Sequence, residues 1–206
     1  IPAGSDTFID AAQGTLYINP SAPDRARLLT EMDAARLQLE QDIQAGQAPA
    51  LTLDGVRITV GGNICNEKEA LQAYQNGADS LGLVRTELLF LQNQTHAPSE
   101  DEQLRQYQGI VNAMHGRPVT LRTLDIGGDK PAPYLNLPPE ENPVLGIRGV
   151  RAYGTNKEVF LSQLRAMLRV QPAGQVRIMI PMVGFVSEAQ ACRRLIEQEK
   201  QTLGIQ

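Results

Sequence analysis

The chain has 206 residues, with 19 basic against 23 acidic side chains for a net charge of −4, and 42% of its residues are apolar. That length is ample for a sizeable core, the composition excludes an intrinsically disordered chain, and no apolar run approaches the roughly 20 residues that a membrane-spanning helix needs. The mild acidic excess argues against a general nucleic-acid or membrane-surface binder, and no basic segment leading into an apolar one follows Ile1, so a signal peptide is not expected.

In chain order, Thr7-Phe8-Ile9-Asp10 and Thr15-Leu16-Tyr17-Ile18-Asn19 read as two short strands, marginal alone, so residues 1–20 are expected to be the tail of a preceding domain. Residues 21–46 read as one helix, with Ser21 as cap, Pro23 in the first turn and Gly46 as stop. Leu28, Met32, Ala35, Leu39 and Ile43 form an apolar stripe expected to pack on something, and the segment 21–50 is expected to be a linker helix. A strand is predicted over 56–61 after the turn Asp54-Gly55. Next come a helix over 67–76 stopped by Gly77, a strand over 78–84, and a helix over 99–115 opened by a Ser99/Glu102 capping box. A strand follows over 118–124. After a Gly- and Pro-rich loop to about Pro143, a helix over 157–170, a strand over 176–182 and a helix over 187–203 complete the pattern.

Four strand–helix units in a row, with strands rich in Val, Ile and Leu, imply α/β architecture with a parallel sheet. Two architectures compete, a doubly wound open sheet and half of an eight-fold barrel. The first strand–helix turn, Gly61-Gly62-Asn63-Ile64-Cys65, lacks the GxGxxG of a dinucleotide fold. The predicted fold class is therefore a (β/α)8 TIM barrel of which residues 51–206 form the first half, an architecture that runs to about 250 residues when complete. The chain is accordingly expected to be a fragment.

Cys65 and Cys192 form no CxxC pair and have no histidine at metal-ligand spacing, which reads as two reduced thiols in a cytoplasmic protein. His115 closes a helix before Gly116 and Pro118, and His96 sits in a polar loop, so neither suggests a nucleophile. In parallel α/β folds the active site gathers at the C-terminal strand ends. Arg85, Arg122 and Arg148 lie there and can converge, and their planar, permanently charged forks suit a small multiply anionic ligand. Gly127-Gly128 can let backbone N–H groups line an anion nest. Against this, each arginine can instead pair with a nearby acid, such as Glu87, Asp125 or Asp129. Arg122, inside Val-Thr-Leu-Arg-Thr-Leu, is costly to bury without a partner.

Three segments carry a family resemblance. They are Gly82-Leu83-Val84-Arg85-Thr86-Glu87-Leu88-Leu89-Phe90, Leu121-Arg122-Thr123-Leu124-Asp125-Ile126-Gly127-Gly128-Asp129-Lys130 and Asn142-Pro143-Val144-Leu145-Gly146-Ile147-Arg148-Gly149-Val150-Arg151. They resemble the C-terminal, phosphoenolpyruvate-binding domain of enzyme I of the sugar phosphotransferase system or a multidomain multiphosphoryl transfer paralogue, and Arg177-Ile178-Met179-Ile180-Pro181-Met182 looks like that family's next strand. Pyruvate phosphate dikinase and phosphoenolpyruvate synthase are related. Leu88 stands where the family often has Phe.

The resemblance implies a phosphoenolpyruvate site in which Arg85, Arg122 and Arg148 match substrate-binding arginines. It implies phosphoryl transfer to a histidine of the same enzyme, then to a small histidine phosphocarrier protein for sugar uptake, in a cytoplasmic homodimer without nucleic-acid or membrane partners. It further implies Mg2+, with its ligands, the proton-donating cysteine and the acceptor histidine expected outside residues 1–206. The isolated chain is therefore expected to be inactive. Two other readings are a carbon–carbon lyase on a phosphoenolpyruvate-type barrel and a dimerisation module without catalysis.

Overall fold

The computed structural model describes residues 1–93, 95–127, 132–135 and 137–205. They fall into two compact units, Ile1–Ala48 and Pro49–Gln206.

In the first unit, β1 (Thr7–Asp10) and β2 (Thr15–Ile18) pair as an antiparallel hairpin. Helix α1 (Ala22–Ala45) starts where Ser21 Oγ accepts from Asp24 N at 3.3 Å. Of the predicted stripe, Leu28 is buried, whereas Met32 and Leu39 are 57% and 59% exposed. The stripe is therefore covered at Leu28, half-covered at Ile43 and exposed at Met32, Ala35 and Leu39 between them.

The second unit opens with a two-residue antiparallel pair, β3 (Ala50–Leu51) with β4 (Arg57–Ile58). This corrects the predicted strand over 56–61. The first strand of the main sheet is instead β5 (Gly61–Ile64), which the sequence suggested as a turn because it holds two adjacent glycines. Those glycines serve close packing. A Cβ on Gly61 would lie 3.1 Å from Gly82 N, and one on Gly62 would lie 3.0 Å from Leu81 Cδ2 and 3.2 Å from Ala73 Cβ. The neighbouring strand and helix can approach only because no side chain intervenes.

From there the alternation holds: α2 (Glu67–Gln75), β6 (Ser80–Val84), α3 (Glu87–Leu91), α4 (Glu100–Ala113), β7 (Val119–Arg122), α5 (Lys157–Arg169), β8 (Val176–Met179) and α6 (Val186–Leu203). Asn66 caps α2, and the Ser99/Glu102 capping box opens α4. Short α3 and the 3-10 turn Gly149–Ala152 were not anticipated from periodicity, being too short to show one.

The four strands are parallel and lie in the order β5-β6-β7-β8. Each strand pairs with the next, so the sheet grows in one direction without the order reversal of a doubly wound fold. The helices neighbour one another in the same sequence, α2 on α4, α4 on α5 and α5 on α6. They bury the face carrying Leu81, Val84, Val119 and Leu121 against Tyr107, Ile110, Met114 and Met167. Strand alternation puts Thr120 and Arg122 on the opposite face.

Electrostatics reinforce the helix layer. Glu100 on α4 accepts from Arg165 Nε at 2.8 Å and from Arg169 at 2.6 Å, both on α5. Partial burial alone would raise the Glu100 pKa, but the two guanidinium hydrogen bonds outweigh it and hold the carboxyl below its ordinary value. Cys65 is half-buried, Cys192 is buried, and both are free thiols. Among the described residues, no helix is long and apolar enough to cross a membrane.

Candidate functional site

Strand β6 ends at Val84, so Arg85, Thr86 and Glu87 leave its C-terminal end, and β7 ends on Arg122 itself. Arg122 donates from NH2 to Glu87 Oε1 at 2.8 Å, and its NH1 lies 3.6 Å from Asp125 Oδ2. The other Asp125 oxygen accepts from Arg148 Nε at 2.8 Å. Asp125 is thus a bridge between two guanidinium groups, one from the end of β7 and one from the loop before the 3-10 turn. Glu87 and Asp125 are 3% and 5% exposed, and carboxylates that deep are tolerable only when paired. Arg85 is exposed at the same strand end, and among the described residues its side chain takes no part in the ion pairs. Of the three arginines expected to converge, the fold therefore joins Arg122 and Arg148, with Arg85 beside them at the neighbouring strand end. Gly128, Asp129 and Lys130 lie outside the described residues.

Arg148 is placed by two backbone approaches. Gly127, at φ +149°, lies where a Cβ would come within 2.8 Å of Arg148 Cβ. Gly149, at φ +52°, lies where a Cβ would meet Met182 Cγ and Pro181 O, each at 3.0 Å. Next to it Val150 N donates to Pro181 O at 3.2 Å, tying the arginine-bearing loop to the segment that follows β8. Gly149→Ala should therefore cost about 1–2 kcal/mol, the usual penalty of a left-handed conformation for a residue with a Cβ. Thermal unfolding followed by circular dichroism should show a fall of a few degrees, and an unchanged midpoint would remove the constraint.

Beneath the arginines runs a buried polar network that the sequence did not disclose. Gln163, on α5 and fully buried, accepts at Oε1 from Leu124 N at 2.7 Å. Its Nε2 donates to Thr86 Oγ1 at 3.1 Å and to Tyr107 Oη at 3.0 Å. Thr86 in turn donates to the Arg122 carbonyl at 2.9 Å, and Tyr107 to Gln103 Oε1 at 3.1 Å. Burial pushes the Tyr107 and Tyr153 hydroxyls well above the ordinary tyrosine range, so both act as neutral donors. The available signal was a glutamine at helical spacing from Phe160 and Met167, a polar residue on an otherwise apolar face.

Two atoms within the cluster break the rule of satisfied burial. Among the described residues, Arg122 Nε and Glu87 Oε2 are buried without a hydrogen-bond partner. An orphaned buried donor on a guanidinium costs free energy that an anionic oxygen could recover. Among the described residues, the guanidinium groups of Arg85, Arg122 and Arg148 stand against the carboxylates of Glu87 and Asp125 at these strand ends. A metal is a poorer fit, since arginines already engage Glu87 and Asp125, and no group of three or more His, Cys, Asp or Glu among the described residues is placed to hold one.

Comparison with known proteins gives a consistent picture. The family model described as PEP-utilising enzyme, PEP-binding domain, matches residues 39–206. The chain is 41% identical over 204 residues to the multiphosphoryl transfer protein of Rhodobacter capsulatus, covering 99% of this chain and 24% of that protein. It is 36% identical over 203 residues to the phosphoenolpyruvate-protein phosphotransferase of Latilactobacillus sakei, covering 98% of this chain and 35% of that one. It is 42% identical over 181 residues to multiphosphoryl transfer protein 1 of Escherichia coli strain K12, covering 88% and 22%. The chain therefore spans between about a fifth and a third of the length of these relatives.

Proposed function

The chain belongs to the PEP-utilising enzymes, whose PEP-binding domain matches most of its length, and on that premise we propose that it supplies the arginine-bearing part of a phosphoenolpyruvate site. The parent activity is transfer of the phosphoryl group to a histidine of the same enzyme, and from there to a small histidine phosphocarrier protein that serves sugar uptake. The observation that carries this reading is the Arg122–Asp125–Arg148 bridge at the C-terminal strand ends, with a buried guanidinium donor that has no partner among the described residues. Relatives named as phosphotransferases favour it over the lyase reading.

In the reaction the bond from phosphorus to the enol oxygen breaks, a phosphorus–nitrogen bond to the acceptor histidine forms, and the enolate takes a proton to become pyruvate. This chain's part is electrostatic. Arg122 and Arg148, already oriented by Glu87 and Asp125, face charge on the transferring group at little cost in reorganisation. Arg85 supplies a third fork from the neighbouring strand end. Such cations matter most in a loose transition state, where negative charge spreads over the phosphoryl oxygens. His96 bonds to Asn93, and the His115 ring lies tilted against Tyr74, 4.5 Å between centroids, beyond the end of α4, so neither is offered as the acceptor. Magnesium belongs to this reading as a companion of phosphoenolpyruvate that groups other than Glu87 and Asp125 would hold.

The strand order β5-β6-β7-β8 with one helix layer supports the first half of a (β/α)8 barrel. A cytoplasmic homodimer completes the proposal. Calorimetric titration of the chain with phosphoenolpyruvate tests the site. Saturable binding is expected, weakened about 10-fold or more by Arg85→Ala, since a hydrogen bond to a charged group is worth about 1.5–3 kcal/mol. The same affinity in the variant would take Arg85 out of the site, and no binding by the unaltered chain would overturn the reading. No pyruvate release is expected from the chain alone.

A further inference from the structure

The arginines stand just beyond the point where the backbone ladders stop. Between β6 and β7 the last paired residues are Val84 and Leu121, and between β7 and β8 they are Arg122 and Met179. The final ladder-type bond runs from Thr123 N to Met179 O at 2.9 Å. Leu124 N–H is the next amide along, flanked by Thr123 and Asp125, and it has passed the edge of the ladder. A buried amide with no partner is costly, and here the partner is a side chain, Gln163 Oε1. On the other seam the Arg122 carbonyl is met by the Thr86 hydroxyl, which itself accepts from Gln163 Nε2.

We propose that Gln163 is a positioning residue for the arginine cluster, holding the Arg85–Glu87 and Arg122–Asp125 strand ends in register where the sheet no longer does. The proposal rests on the reading of that cluster as a phosphoenolpyruvate site. One amide reaches both strand ends from the helix behind them, and only an amide can do so, because it must accept from Leu124 N–H and donate to Thr86 and Tyr107 at once. The third bond explains its rigidity. Tyr107 is anchored through Gln103, whose Nε2 donates to the Pro98 carbonyl at 3.0 Å. Donation runs outward from the Gln163 amide on both sides, through Tyr107 and Gln103 to the Pro98 carbonyl and through Thr86 to the Arg122 carbonyl. Tyr153 steadies the far side, with its hydroxyl 2.6 Å from Thr123 Oγ1. A core-filling role alone would be met by methionine, which has similar volume and no polar groups to satisfy.

The test uses Gln163→Met, Thr86→Val, Thr86→Ser and, as a control for stability, Val170→Ala, which opens the core at the far end of α5. Phosphoenolpyruvate affinity is read by calorimetry at a temperature where every variant is folded. The Leu124 N–H and Arg122 Nε–H resonances are read by NMR without ligand. Gln163→Met and Thr86→Val should each lower affinity about 10-fold or more, the usual scale for misplacing binding groups by a fraction of an ångström to an ångström. Both should also shift the two resonances, whereas Thr86→Ser should restore affinity and resonances to near the unaltered values. Val170→Ala should lower the melting temperature and leave both readouts alone. A Gln163→Met protein that behaves like Val170→Ala would overturn the proposal. If the unaltered chain binds no phosphoenolpyruvate, the site reading fails instead, and the Arg122 resonance still decides the positioning role. Should Gln163→Met not fold, Thr86→Val carries the same comparison.

Discussion

Arg122→Met should cost about 3–5 kcal/mol of folding stability, the usual price of stranding a buried carboxylate by removing its cation. Glu87 lies 2.8 Å from the guanidinium with a side chain 3% exposed, and Asp125 lies 3.6 Å away at 6%. Methionine keeps much of the volume, so the loss would not come mainly from a cavity. The double variant Arg122→Met with Glu87→Gln should recover more than half of the loss, because the amide removes the uncompensated charge without changing the shape. Urea unfolding of Arg122→Met, Glu87→Gln and the double variant measures this coupling directly. An Arg122→Met protein within about 1 kcal/mol of the unaltered chain would mean that water reaches Glu87 and that the pair is worth no more than an exposed one. Phosphoenolpyruvate affinity should fall by more than 10-fold in Arg122→Met, and the double variant should not regain it. Stability and binding would then separate on one residue, since the carboxylate's need for a cation is structural while the ligand's need is for that particular fork.

How far the sequence disclosed this arrangement depends on the range of the interaction. Helices α1, α4 and α5 were legible because their signals are local: Ser21 and Gly46, the Ser99/Glu102 capping box, and the stripe Phe160, Leu161, Leu164, Met167. Strand β5 was misplaced because Gly61-Gly62 is locally turn-like, and only the close approach of Gly82 and Ala73 gives those glycines their role. That approach is a tertiary fact with no trace in the segment itself. The site divides the same way. Strand-end logic found Arg85, Arg122 and Arg148, and it offered Glu87 and Asp125 as partner acids without saying which arginine each would take. The pairings cross 35 and 23 positions of sequence for Arg122–Glu87 and Arg148–Asp125, so periodicity cannot order them. Gln163 escaped notice because its partners come from three other elements, although its place on an apolar face was visible.

The uneven reach of the core explains why the loop after β7 can carry functional groups at all. Long loops run at the surface unless something holds them. Here a second apolar cluster, built from Phe90, Leu124, Ile126, Ala132 and Leu135, sits apart from the main one and holds the loop from below. Leu124 and Ile126 flank Asp125, so the side chains that anchor the loop alternate with the one that bridges the arginines. The sequence Leu-Asp-Ile is in effect a strand-like alternation continued past the end of the ladder, with a different core beneath it.

Phe90→Ala should accordingly remove both anchorage and stability. Phe90 is fully buried on α3, and its carbonyl accepts from Tyr134 Oη at 2.7 Å. Truncating a buried phenylalanine costs about 3–5 kcal/mol, part of it from the cavity left behind. Because that cavity would open between α3 and the loop, the loss should be felt at residues 124–127 before it is felt in the sheet. Hydrogen exchange at the Leu124, Asp125 and Ile126 amides should speed up more than at Leu121 on β7. Phe90→Leu, which keeps much of the bulk, should cost less than about 1.5 kcal/mol and leave the exchange pattern nearly intact. Uniform acceleration across both regions would show that the two clusters unfold as one unit. An exchange pattern unchanged in Phe90→Ala would show that Gln163 and Tyr153 hold Leu124 without help from the apolar cluster below.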